Sequence, residues 1–176
     1  MVRRGRRPFH AERNLMSQQS SPTRPRVDPT EFAADVLAAG GGTPAQPTSL
    51  PAALRGGRWV ARPALLRRAA ALLAPVLPAG VDRIVGVGPA EQPLVVATAL
   101  HTGLPFAVLD DTTGDPAPAG DAGPSLLVGE VHRHETVVLV AAAPSPADHH
   151  AGEAMRSHGV RVPRTALLSE VLATAD

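Results

Sequence analysis

The chain has 176 residues, 44% of them hydrophobic, and a formal net charge of +1, which suits one domain with a buried core. The absence of Cys removes disulfides and thiolate metal sites, and one Trp, three Phe and no Tyr leave little surface for stacking single-stranded nucleic acid. All 17 basic residues are Arg, so a Walker-type phosphate loop, a Schiff base or any other lysine chemistry is excluded.

In chain order, residues 1–29 read as a disordered tail, with an Arg cluster (Arg3, Arg4, Arg6, Arg7) followed by a Gln, Ser and Pro stretch. The cluster reads as a solvated tail, or as an extension upstream of an initiator at Met16, in preference to a nucleic-acid contact, because no basic stripe is expected on the folded part. Residues 30–39 predict a short helix with Thr30 as N-cap and Phe32, Val36 and Leu37 on one face, stopped by Gly40. Residues 43–57 read as irregular, and Arg58, Trp59, Val60 and Ala61 as a short strand, with Trp59 a packing anchor. Residues 63–77 carry the clearest helical spacing, through Leu65, Leu66, Ala69, Leu72, Leu73, Val76 and Leu77, with Arg67 and Arg68 on a solvated face.

Beyond Gly80 the pattern alternates. Residues 82–87 predict a strand, 93–102 a helix capped by Gly103, 105–109 a strand, 110–124 a loop, and 125–129 a short strand. A polar turn at 130–135 leads to the strand of Val137, Val138, Leu139 and Val140, and residues 146–158 form a helix closed by Gly159. This order argues for a mainly parallel sheet flanked by helices. Ligands of such sheets bind beyond the strand carboxyl ends, here at residues 86–92, 110–124 and 141–150.

Residues 81–110, VDRIVGVGPAEQPLVVATALHTGLPFAVLD, resemble the type I phosphoribosyltransferases, in particular the orotate branch. The Leu127-Val128-Gly129-Glu130 approach and the Arg156-Ser157-His158-Gly159-Val160 helix end are similar to the same family. The resemblance implies a domain over 30–176, with an N-terminal hood at 30–62 and a core at 63–176, and a homodimer, with which an exposed Ala/Leu helix at 63–77 is consistent. The family displaces pyrophosphate from phosphoribosyl pyrophosphate by a nucleobase nitrogen.

Mapped onto this chain, the resemblance places a phosphoribosyl loop at Ala141, Ala142, Ser145, Ala147, Asp148 and His149, and a pyrophosphate loop at Gly88, Pro89, Ala90 and Glu91. Ala141 and Ala142 stand where it implies two ribose-binding carboxylates; Pro146 removes an amide donor, and Asp148 and Glu91 add negative charge beside anion sites. Between Arg83 and Arg133 there is no Arg or Lys. Ser145-Pro146-Ala147-Asp148 also reads as a capping box that closes the helix start on itself.

The expectation is therefore a catalytically degenerate orotate phosphoribosyltransferase-like protein that binds a nucleotide or phosphoribosyl ligand weakly, or a protein partner, with no catalytic residue and no cofactor. The alternative is an active phosphoribosyltransferase of pyrimidine metabolism, for which magnesium would be expected. Two His pairs, His132 with His134 and His149 with His150, lie at opposite ends of one strand, so no metal site is expected. No apolar run approaches the ~20 residues that cross a bilayer, and the basic start lacks the apolar stretch of a secretory signal. The cytoplasm is the expected compartment, with neither membrane nor nucleic acid as a partner.

Overall fold

The computed structural model describes residues 26–40, 48–110 and 126–174; the predicted tail over 1–25 and most of the predicted 110–124 loop lie outside them. Helix α1 spans Pro29–Gly40. Its cap is Asp28 and not Thr30: Asp28 Oδ1 accepts from the Thr30 and Glu31 amides at 2.8 and 3.3 Å. Asp before a proline at the first helical position is the stronger start signal, because that proline has no amide left to satisfy. A second helix, α2 (Leu50–Arg55), forms where irregular chain was expected, since its proline sits in the first turn, where proline is tolerated.

Arg58–Ala61 is a 3-10 turn and not a strand. Trp59 has the aromatic bulk favoured in strands, but no strand lies alongside; its ring is instead 1% exposed and its Nε1 donates to the Leu54 carbonyl at 2.9 Å. Helix α3 spans Pro63–Leu73 and tightens into a 3-10 turn at Ala74–Val76, where Pro75 has no amide to continue the α pattern. Most of its apolar face is buried, so the exposed Ala/Leu helix is corrected. Arg68 is not simply solvated either. It pairs with Asp35 and, at 3.5 Å, with Glu31, and lies 5.6 Å over the Phe32 ring.

The sheet has strand order β3-β2-β1-β4-β5. Strands β1 (Arg83–Val87), β2 (Phe106–Leu109), β4 (Val137–Ala141) and β5 (Thr165–Leu167) are parallel, and β3 (Leu126–Val128) pairs antiparallel with β2 at the edge. An antiparallel neighbour needs no helical crossover, which agrees with the lack of a helical pattern between β2 and β3. Helix α4 (Gln92–Thr102) ends at Gly103, whose φ of 77° fits a left-handed cap; α5 spans Pro146–Ser157 and α6 Leu168–Ala173. Strand β5 and helix α6 lie beyond the last element that the sequence predicts.

Side chains of β1 and β4 alternate between two cores, as a sheet covered on both faces requires. Ile84, Val138 and Val140 join Phe32, Trp59, Leu73, Leu94 and Leu168 on the face covered by α1, α3, α4 and α6. Val85, Val87, Val137 and Leu139 meet Met155, Val160 and Val162 on the α5 face. At the amino end of the sheet a two-point ion pair, Arg83 to Glu135 at 3.0 Å for each bond, joins β1 to the turn before β4. No helix among the described residues is long and apolar enough to cross a membrane.

Candidate functional site

Strand β1 is central, with β2 on one side and β4 on the other, so the chain reverses its direction of winding between β1 and β4. The loops leaving these two strands lie at that reversal, the crevice position where an open α/β sheet usually takes its ligand. The structure therefore brings together the two sequence-predicted loops at 88–91 and 141–149.

The first loop turns at Gly88, whose φ of 80° favours glycine and whose amide donates to the Leu109 carbonyl at 2.8 Å. Pro89 and Ala90 are exposed. Glu91 stands at the amino end of α4, where the Val95 amide donates to its carbonyl at 3.0 Å. A Cβ built on Gly86 would lie 3.3 Å from the Glu91 Cβ and 2.5 Å from Val95 Cγ2, so β1 is bare at this point to admit α4.

The Glu91 side chain reaches across the crevice. Its Oε2 accepts the Ala142 amide at 3.1 Å, while the Ala142 carbonyl accepts the Ser169 amide at 3.0 Å. Both backbone groups of Ala142 are thus engaged within the chain. Further along, the capping box is complete: Ser145 Oγ accepts the Asp148 amide at 3.3 Å and Asp148 Oδ2 accepts the Ser145 amide at 2.9 Å. Ala141, Ala142 and Ala143 are buried, and Asp148 is only 7% exposed.

Burial is the first cause of a raised Glu91 pKa, pushed up to about 7; the Ala142 amide opposes it and the Asp148 charge adds to it. The Asp148 carboxyl is also raised by burial, against the Ser145 amide and hydroxyl. Burial thus raises both carboxyls, and the Asp148 charge raises Glu91 further. Among the described residues, Glu91 and Asp148 thus bring carboxyl groups to the crevice, and neither of these two loops carries a Lys or Arg.

Other sequence candidates lie elsewhere. His149 is exposed on α5, 3.6 Å from Glu153 and edge-on to His150. Ala147 is half-buried and packs with the α5-face core. His132, at the other end of β4, lies 3.7 Å from Glu130. No group of three potential metal ligands occurs among the described residues. A cleft of about 1050 Å³ between α3 and α4, lined by Leu66, Val96 and Leu100 among others, lies on the helical face and not at the strand ends; Leu100 is 83% exposed.

Replacing Ser145 by Ala removes the side-chain half of the capping box and is expected to cost about 1 kcal/mol of folding stability in urea denaturation. An unchanged midpoint would show that Asp148 and the Ser145 amide hold the α5 start without the hydroxyl.

No family model and no curated protein matches the sequence. Solved structures do match the fold. The chain is similar to Leishmania donovani UMP synthase, at 23% identity and a TM-score of 0.56 over 78% of this chain and 30% of that one. The chain therefore spans under a third of that protein's length. It is also similar to adenine phosphoribosyltransferases from Rhodothermus marinus (15% identity, TM-score 0.51, 78% and 85% of the two chains) and Saccharomyces cerevisiae (14%, 0.52, 81% and 91%). The α/β sheet and its flanking helices thus form the fold of the type I phosphoribosyltransferases.

Proposed function

We propose that this chain, built on a type I phosphoribosyltransferase fold, is a non-catalytic protein of orotate phosphoribosyltransferase-like descent, which binds a nucleotide-like ligand weakly or serves a protein partner. The observation that carries this reading is the β4–α5 loop. Ala141 and Ala142 are buried methyl groups where the resemblance implies ribose-binding carboxylates, and the α5 start is closed by its own Ser145–Asp148 box. A helix amino end offers an anion its free amides and positive dipole end. Here Pro146 has no amide, the Ser145 amide is bonded to Asp148, and the Asp148 charge opposes that dipole end.

Electrostatics support the same reading. Phosphoribosyl pyrophosphate is polyanionic, and the two described crevice loops bring Glu91 and Asp148 towards it without a Lys or Arg. Each charge-assisted hydrogen bond forfeited costs ~1.5–3 kcal/mol, and several together remove many decades of rate. Incubation with phosphoribosyl pyrophosphate, magnesium and either orotate or adenine is expected to release pyrophosphate no faster than a protein-free control. Turnover that rises with protein concentration overturns the reading.

A further inference from the structure

We infer that the Glu91 side chain is a built-in competitor for anions: from the neighbouring loop it occupies the Ala142 amide and so holds the β1–β4 crevice closed against phosphate. The inference rests on the site proposed above and adds the element that closes it. Amides just past the strand ends at a reversal of winding face the crevice and are the groups an incoming anion meets. The Ala142 amide is such a group, and its partner at 3.1 Å is a carboxylate oxygen of the same chain. Glu91 has little freedom to leave. Its backbone starts α4, its Cβ lies over the bare Gly86, and its side chain is largely buried.

Two features separate a competitor from a simple tie between loops. The occupying group is an acid with the oxygen-acceptor chemistry of phosphate, and it sits at the crevice despite the desolvation that burial imposes on it. Asp148, further along the same loop, does the same at the Ser145 amide. Among the described residues, Asp148 on α5 is the charged group that acts on Glu91; α6 contributes the uncharged Ser169 amide on the far side of Ala142. Both amide donors are thus held by in-chain carboxyl groups.

The test is a titration with inorganic phosphate at alkaline pH, followed by amide NMR on the wild type, Glu91→Ala and Glu91→Gln. Glu91→Ala is expected to bind phosphate at least about tenfold more tightly than the wild type, a difference of ~1.4 kcal/mol, with the Ala142 resonance among those that move. Glu91→Gln keeps a neutral acceptor on the amide, so its gain is expected to be smaller; it also serves as the well-folded variant if alanine perturbs α4. Equal phosphate affinity in all three proteins overturns the inference, as does a gain that leaves the Ala142 resonance unmoved. Turnover by the wild type would overturn the non-catalytic reading by itself. No turnover together with no gain in phosphate binding overturns only the competitor role.

Discussion

Glu91→Gln is expected to flatten the dependence of folding stability on pH between about 4.5 and 7, and to leave the variant more stable than the wild type above that window. The Glu91 pKa is raised from an ordinary 4.5 to about 7 in the folded chain, chiefly by burial and then, against the Ala142 hydrogen bond, by Asp148. A raised carboxyl pKa means that the folded chain holds a proton the unfolded chain has released. Its contribution is fully present below pH 4.5 and is lost as pH rises through about 7. A shift of this size corresponds to about 2–3 kcal/mol once partial solvent access is allowed for. Asp148 adds to the slope with the same sign, whereas Glu135, lowered mainly by its hydrogen bond to Arg83, opposes it as the medium becomes acidic. Glutamine retains an oxygen for the Ala142 amide and carries no charge to desolvate. Urea denaturation across this pH range checks the expectation; parallel curves for the two proteins would place the ionisation elsewhere.

The same residue separates what the sequence carries from what it does not. The central strands were legible because Val85, Val87, Val137, Val138, Leu139 and Val140 form β-branched and aliphatic runs that only a doubly covered sheet accommodates. The α5 start was legible because its partners are three residues apart. Glu91 was legible only as a misplaced charge. Its partner is a backbone amide 51 residues away, and an amide gives no residue-type signal. Arg68 was misread for a similar reason: the acid that holds it, Asp35, belongs to another helix 33 residues upstream. Strand β5 and helix α6, three and six residues long, fall below the length at which periodicity separates from chance. Arg58–Ala61 has strand-like side chains, yet its conformation follows the burial of Trp59.

Trp59→Ala is expected to lower the stability of the whole described chain by about 3–5 kcal/mol, a large share of the 5–15 kcal/mol typical of a domain. The indole is among the largest fully buried side chains, and its ring meets Phe32 edge-on at 6.2 Å. Its removal opens a cavity between α1, α2 and the turn that leads to α3, and it strips the Nε1 donor from the Leu54 carbonyl. Trp59→Phe keeps most of the volume and loses that donor, so its expected cost is about 1–2 kcal/mol. The location of the loss matters as much as its size. Phe32, Val36, Leu54 and Trp59 belong to the same buried cluster as Ile84, Val138 and Leu168. The N-terminal helices are therefore expected to unfold together with the sheet, because damage at Trp59 reaches β1 and β4 through continuous packing. Far-UV circular dichroism and the fluorescence of the single tryptophan should report one coincident urea transition in the wild type; in the alanine variant, which has no tryptophan, circular dichroism alone should report one transition at lower urea. A first transition confined to the N-terminal helices, with the sheet melting at its wild-type midpoint, would instead make the hood an independent unit docked on the core.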